Sequence, residues 1–261
     1  MRAKGSRGVL IGGLAALGLG VVLLLSNFLL ISEFNVGALW PLGLVVVGTL
    51  VLLRGDLLPG AVARTFGITR GSVESASLEI SAGEIDVQAQ ALTREGRLIA
   101  GQFAFDSRPQ LSLHDTHAHL RFDRSATPWL SFAPWQVSLA RDLPWSIFVS
   151  TSLGNVNLDL SGLIVQRAVI GTGMGDIRFV CPQEAFEPIA LRSAAGSIQV
   201  LTPPGLRARI SCAGSRVFRI HADEARYDQI EPGVFVSRDA DANAAQVEIQ
   251  VRGTFGDAYL A

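Results

Sequence analysis

The feature that most constrains this chain is a short phrase written three times around a glycine between residues 147 and 203. In each copy an aliphatic residue precedes the glycine by five positions, and apolar residues follow it by two and by four. The glycines are Gly154, Gly175 and Gly196, spaced 21 residues apart. Repeats of this period indicate stacked supersecondary units that bury a shared interior.

Within each copy, apolar and polar residues alternate, which is the pattern of strands whose two faces see different environments. A small polar residue follows each glycine, and such a pair suits a tight corner. A fainter copy lies upstream and a degraded one lies around Gly214. We therefore predict an all-β, single-stack β-solenoid of about 21-residue repeats over residues 72–261, with corner glycines at Gly83, Gly154, Gly175 and Gly196.

The N-terminal region has a different character. Residues 8–31 and 34–53 contain no charged side chain, and each run is long enough for a helix to cross a membrane. We predict a transmembrane helical hairpin over residues 1–53 and a juxtamembrane linker over 54–71. A signal peptide is the competing interpretation of the first run, but the run is long, lacks a small-residue cleavage site and precedes a second span.

Basic residues near the spans predict the orientation of the hairpin. Three precede the first span and Arg54 follows the second, whereas the connecting turn has none. The positive-inside rule then places both termini, and the C-terminal domain, in the cytoplasm of a multi-pass cell-membrane protein. Small residues recur on one face of the first helix, where they favour packing within the hairpin over docking of a partner: Gly8, Gly12, Ala16 and Gly20.

Composition excludes several classes of function. The formal net charge is −1, and Lys4 is the only lysine, so no basic surface for nucleic acid and no phosphate-binding lysine lies in the C-terminal domain. The glycine-rich segment 171–176 resembles a phosphate loop, but it lacks the Gly-Lys-Ser/Thr ending and belongs to the repeat. We expect no nucleotide, nucleic acid or cofactor.

Three histidines, His114, His117 and His119, have a spacing that could bring ligands together at a zinc site. The favoured interpretation is an exposed hairpin tip between two strands. The segment 239–250 begins like a calcium loop but lacks its glycine and its final glutamate. No nucleophile lies in a catalytic motif, so we predict that the protein is not an enzyme.

Cysteines and tryptophans point to packing. Cys181 and Cys212 are too few for a disulfide framework and occupy different places in the repeat, so we predict buried, reduced thiols. Three Pro-Trp pairs lie between residues 128 and 145. Packing at an open end of the solenoid is the favoured role for these tryptophans, and an exposed aromatic surface is the alternative.

Two stretches resemble a known group of bacterial membrane proteins. The second span, from Leu39-Trp40-Pro41 to Leu53-Arg54, is similar to the transmembrane region of LiaI/LiaF-like proteins. The segments 143–163 and 171–182 resemble the toast-rack β-solenoid domain of the same group. This resemblance implies an accessory membrane protein of the cell-envelope stress response, of the kind that restrains a sensor kinase, and it implies no catalytic residue.

Three functions follow from these patterns. The first is a non-enzymatic, membrane-anchored regulator that binds a protein partner, such as a sensor kinase or another envelope protein, through its solenoid. The second is a structural or adhesin-like solenoid that polymerises through open strand edges. A ligand-binding or hydrolytic domain is the third.

Overall fold

The computed structural model divides into two compact units, Met1–Pro59 and Gly60–Ala261. It describes Val45 and residues 64–83, 85–93, 96–103, 109–123, 135–238 and 245–261. The predicted hairpin, with its spans 8–31 and 34–53 and its small-residue face Gly8, Gly12, Ala16 and Gly20, lies outside the described residues and stays a prediction. Among the residues described, no helix is both long and apolar enough to cross a membrane.

The second unit is built from β-strands, which confirms the predicted all-β class for this part of the chain. Its described residues form nineteen strands: β1 Arg64–Thr69, β2 Ser75–Gly83, β3 Val87–Ala91, β4 Arg97–Phe103, β5 Gln110–His114, β6 His117–Asp123, β7 Trp135–Leu139, β8 Pro144–Leu153, β9 Val156–Asp159, β10 Ile164–Met174, β11 Ile177–Val180, β12 Glu184–Ala185, β13 Ile189–Ala195, β14 Ile198–Leu201, β15 Arg207–Gly214, β16 Phe218–Ala222, β17 Tyr227–Glu231, β18 Val234–Ser237 and β19 Gln246–Leu260.

The strands form two sheets with a common core between them. Sheet 1 has the order β5-β6-β2-β8-β10-β13-β19-β15-β18-β17, with β12 beside β10. Sheet 2 has the order β1-β4-β7-β3-β9-β11-β14-β19-β16. Strand β19 contributes its first half to sheet 1 and its second half to sheet 2. Alternating side chains face the core because successive residues of a strand point to opposite faces.

Each repeat forms one rung, in which a strand of sheet 1 turns a corner into a strand of sheet 2. Val149 of β8 pairs with Ile170 of β10, which pairs with Leu191 of β13, and all three side chains are buried. Across the corner, β9, β11 and β14 pair in the same manner. Parallel stacking at an offset of 21 residues is therefore confirmed for these three copies.

The order of rungs in space differs from their order in the chain at both ends of the stack, and the predicted step from the Gly196 copy to the Gly214 copy is wrong, because another rung lies between them. Strands β2 and β3 lie between β6 and β7 on one side and β8 and β9 on the other. Strand β19 lies between the β13–β14 rung and the β15–β16 rung. Local alternation predicts each strand, but it carries no information about which distant strand becomes the neighbour.

The predicted linker also needs correction. Residues 64–69, assigned to the linker 54–71, form β1, which pairs antiparallel with β4 from Arg64 opposite Phe103. Phe66 explains this placement, because it packs against the core and its ring lies 5.8 Å from that of Phe122. The β-domain therefore begins before residue 72.

Antiparallel strands cover both ends of the stack. At one end Phe66 lies over Phe122, whose ring is 5.8 Å from that of Trp135. At the other end the β17–β18 hairpin extends sheet 1, and its Tyr227 and Phe235 side chains are buried. Trp135 and Trp145 are also fully buried, which confirms the packing role predicted for them. Trp129 lies outside the described residues.

Candidate interaction surface

The corners of the stack require glycine at three consecutive rungs. Gly154, Gly175 and Gly196 have φ angles of 153°, 143° and 138°, a region that side-chain-bearing residues rarely adopt. The backbones also meet closely here, since a Cβ atom on Gly175 would collide with the carbonyl oxygen of Gly154. This geometry explains why glycine stands at the three corners.

The first and last corners differ from the positions that the repeat phrase predicts. Gly83 ends β2 with a φ of 64°, but a bulge shifts the register so that Ile85 stacks on Gly154. At the other end, the rung stacked on Gly196 has its corner at Gly256, with a φ of 121°, and not at Gly214. The phrase Val251, Gly256, Ala258 and Leu260 carries the same spacing, so the sequence did contain this signal.

Polar side chains next to the corners tie the rungs together. The Asn155 N–H donates to Asp86 Oδ1 at 2.7 Å, the Asp176 N–H donates to Asn155 Oδ1 at 3.0 Å, and the Ser197 N–H donates to Asp176 Oδ1 at 2.7 Å. Asp86 is the first acceptor in this series, because the register shift at Gly83 places Ile85 at the corner position and Asp86 directly after it. Each side chain satisfies a backbone donor of the next rung, which stabilises the corner.

An apolar ridge lies on the solvent side of the same corners. Leu153 pairs with Met174, Met174 with Ala195, and Ala195 with Phe255, each directly before a corner glycine. The exposed fractions are 46% for Leu153, 61% for Met174 and 59% for Phe255. Val217 extends this corner ridge, because the next residue, Phe218, pairs with Gly256. Strand spacing makes the ridge about 14 Å long from Leu153 to Phe255.

The three histidines lie where the hairpin interpretation placed them. His114 ends β5 and pairs with His117 at the start of β6, around a turn in which Asp115 has a φ of 52°. Their ring nitrogens bond to serines: Ser75 Oγ lies 2.8 Å from His117 Nδ1, and Ser77 Oγ lies 2.7 Å from His119 Nδ1. Within the described part of the chain, no three His, Cys, Asp or Glu side chains converge to hold a metal.

The cysteines are free thiols in protected surroundings. Cys181 is buried, and its Sγ lies 3.7 Å from Thr202 Oγ1, while Cys212 is half-buried. Burial raises the pKa of each thiol from 9.0 to about 12. Burial also raises the pKa of Tyr227, whose hydroxyl donates to Thr202 Oγ1 at 2.7 Å. These groups therefore stay protonated near neutral pH and are poor nucleophiles.

The glycine-rich segment does not form a phosphate loop. Residues 171–174 of the glycine-rich segment belong to β10, and Gly175 is the corner, so no helix follows them as a phosphate loop would require. The calcium-like residues 239–244 lie outside the described residues. The geometry thus singles out the corner ridge as a surface for a partner, and it was missed because its members look like ordinary strand-end residues in the sequence.

Comparison with known proteins agrees with this architecture. A candidate cell adhesion protein from Clostridium sporogenes has a similar structure, with a TM-score of 0.61 and 14% sequence identity over 76% of this chain and 98% of that one. A candidate adhesin from Bacteroides fragilis matches over 78% and 99% at 11% identity, but its TM-score of 0.34 is too low to inform the fold. No curated protein matches the sequence.

The family comparison is more specific. Residues 67–196 match the model of the N-terminal domain of toast_rack, DUF2154. The match begins inside β1 and ends at the corner glycine of the β13–β14 rung, so it includes the second half of β1. The comparison therefore supports a toast-rack N-terminal domain over residues 67–196.

Proposed function

We propose that this protein is a membrane-anchored, non-enzymatic accessory protein of the bacterial envelope stress response, and that its β-domain acts by binding another protein. The observation that carries the proposal is the corner ridge, because contiguous exposed apolar side chains on a folded domain mark interaction surfaces. The ridge is rigid, since each member precedes a corner held by backbone pairing. The resemblance of the second span to LiaI/LiaF-like proteins supports the membrane anchor and a sensor kinase as partner.

The ridge can be tested in cells with a reporter of cell-wall antibiotic stress. We expect deletion of the gene to change the reporter response, the wild-type chain to restore it, and Phe255→Asp to fail at equal protein level. Gln250→Asp is the matched control, because Gln250 is exposed on the same strand but lies away from the corner. Full complementation by Phe255→Asp, or a deletion without effect on the reporter, would contradict the proposal.

A polymerising scaffold is the alternative. It requires stack ends that pair with another copy, whereas Phe66 at one end and Tyr227 and Phe235 at the other belong to antiparallel strands that cover the core. Light scattering of the full-length chain in detergent distinguishes the two functions. We expect a mass independent of protein concentration, and concentration-dependent filaments would favour the scaffold.

The proposed cytoplasmic placement of the β-domain is open to a labelling test. Arg192 is exposed on β13, so Arg192→Cys supplies an accessible thiol, whereas Cys181 and Cys212 are protected. A membrane-impermeant maleimide should modify this variant only after the cells are lysed. Modification in intact cells would place the domain outside.

A further inference from the structure

A second surface, separate from the corner ridge, crosses the outer face of sheet 2. Seven consecutive strand pairs place one outward side chain of each strand in line, and five of the eight side chains are amides: Gln102, Gln136, Gln88, Asn157 and Gln199. Arg178 interrupts them, and Tyr259 and His221 end the line. We call these eight side chains the amide row, and strand spacing makes it about 34 Å long.

The amide row lies in a trough. A depression of about 470 Å³ borders Gln102, Gln136 and Gln88, and one of about 700 Å³ borders Arg178, Gln199 and Tyr259. Asn157 lines both depressions, so they lie next to each other across the sheet, and we call the two together the trough. Each depression has the volume of a typical ligand site.

Most polar groups of the row have no partner in the protein. Gln136 Nε2 donates to Gln88 Oε1 at 3.3 Å. Among described residues, the amides of Gln102, Asn157 and Gln199 and the guanidinium of Arg178 make no hydrogen bond or ion pair. A row that served only to stabilise the stack would bond its amides to one another or to the backbone of the next rung, as the polar side chains at the corners do with backbone N–H groups. These amides instead offer both donors and acceptors to a ligand.

The charge, the polarity and the position of the row argue against three classes of ligand. Arg178 is the one fixed cation of the row, Arg97 lines the first depression, and Asp176 and Asp223 line the second, so a polyanion would meet two separated guanidinium groups and two carboxylates. None of the eight members is aliphatic, so an apolar ligand would cover the amides without satisfying their hydrogen bonds, although Val156, Ile177 and Leu260 also line the depression beside Tyr259. A peptide strand would need a sheet edge or side-chain pockets, and the row lies across the middle of a paired sheet.

An aromatic pair closes the trough at the β16 edge. The rings of Tyr259 and His221 are stacked with centroids 5.1 Å apart, and His221 Nε2 lies 3.1 Å from Asp257 Oδ1. The tyrosine is 43% exposed, so part of its ring is open to a ligand. A polar ligand with apolar C–H faces would use both this ring and the neighbouring amides.

We infer that the amide row is a binding site for a linear chain of neutral sugars. Sugar hydroxyls both donate and accept hydrogen bonds, as the amides do, and sugar rings present C–H faces to aromatic side chains. A linear polymer fits a straight row that repeats at each strand, and neutrality fits a row with one isolated cation. With the β-domain in the cytoplasm, as proposed above, the ligand would be a neutral oligosaccharide on that side of the membrane, and its site would be separate from the proposed protein contact at the ridge.

The test uses the full-length chain in detergent and three soluble probes, titrated by calorimetry. The probes are cellohexaose and chitohexaose as neutral β-1,4-linked chains, and heparin as a polyanion. We expect at least one neutral hexamer to bind in the millimolar range or tighter and heparin not to bind. Binding of heparin alone, or of no probe at millimolar concentration, would overturn the inference.

Substitutions then locate the site. Tyr259→Ala and Arg178→Ala should each weaken hexamer binding about fivefold, the effect of one lost contact. Asn157→Asp keeps the size of the side chain and removes its donors, so it tests the row even if a truncation unfolds. The matched controls are Gln250→Ala and Arg192→Ala, both exposed on strands of sheet 1. Equal weakening by row variants and controls, or no effect of the row variants, would overturn the inference. The ridge variant Phe255→Asp should bind the hexamer normally, which separates this site from the proposed function.

Discussion

The carbonyl oxygen of Gly154 occupies the space that a Cβ atom on Gly175 would need. The same relationship joins Gly175 to Gly196 and Gly196 to Gly256, so four rungs approach each other backbone to backbone at the corner. Glycine at these positions sets how closely the rungs can stack. Because no side chain separates the backbones at the corner, the corner ridge and the polar side chains beside it repeat in line from rung to rung.

Gly175→Ala should lower the free energy of unfolding by about 3 kcal/mol, because the substitution adds both a disfavoured φ and a backbone collision. Gly171→Ala on the same strand is the matched control, since a Cβ atom there would meet nothing within 4 Å. Chemical denaturation measures both variants. Equal stability of the two variants would contradict a structural role for the corner glycine.

Asp176→Ala should cost about 1 kcal/mol of stability, because the Ser197 N–H loses the acceptor that lies 2.7 Å away. Asp176→Asn should be close to neutral, because the Asn155 amide oxygen performs the same task one rung earlier. The comparison of the two melting temperatures checks the prediction. A loss of equal size in both variants would show that the charge, and not the acceptor, matters.

Stability should fall as the pH rises from about 9 to 12. The unfolded thiols of Cys181 and Cys212 lose their protons near pH 9, whereas the folded thiols hold theirs to about pH 12. The unfolded state therefore binds fewer protons in this window. Each increase of one pH unit lowers the free energy of unfolding by up to about 1.4 kcal/mol per thiol. Below pH 8 the two thiols are protonated in both states, so they do not make the free energy of unfolding depend on pH.

Denaturant titrations at several pH values test this dependence. Cys212→Ala should make the decline between pH 9 and 12 shallower, and the thiols of the folded protein should resist iodoacetamide at pH 8 until denaturant is added. Rapid alkylation of the native protein would contradict the burial that raises both pKa values.

The two tyrosines of the chain form a natural pair for comparison. Tyr227→Phe should lower stability by about 1 to 2 kcal/mol, because it removes the buried hydrogen bond to Thr202 Oγ1 and leaves that oxygen with one partner fewer. Tyr259→Phe should have little effect, since this residue is 43% exposed. Thermal unfolding of both variants gives the difference.

The sequence predicts the middle of the domain well and its ends poorly. Around Gly154, Gly175 and Gly196, neighbours in the chain are neighbours in space, so period and alternation determine the register. Gly256 carries the repeat phrase, but the β19 rung was missed. It lies between the β13–β14 rung and the β15–β16 rung, although all of these strands precede it in the chain. Pairing of that kind depends on the packing of the whole core, which no local pattern records.

The candidate surfaces were harder still to predict. The members of the amide row come from eight strands, and each one reads as an ordinary polar residue on an alternating strand. Gln88 and Asn157, for example, become neighbours only through the pairing of β3 with β9. The histidines were easier to place, because His114 and His117 belong to a single hairpin whose turn is visible in the sequence.

The position of β19 has a consequence for how the domain is made. During synthesis β15 to β18 leave the ribosome before β19, yet among the described strands β15 and β16 join the stack only through it. Strand β15 can pair with β18 before that point, but neither β15 nor β16 can join the stack until the chain is nearly finished, and contacts between distant segments form slowly. Pairing of β19 is therefore the last step in assembly of the stack. A nascent chain that stalls before residue 246 carries an open edge on β13 and β14, the segment at which mispairing with a second nascent chain would begin.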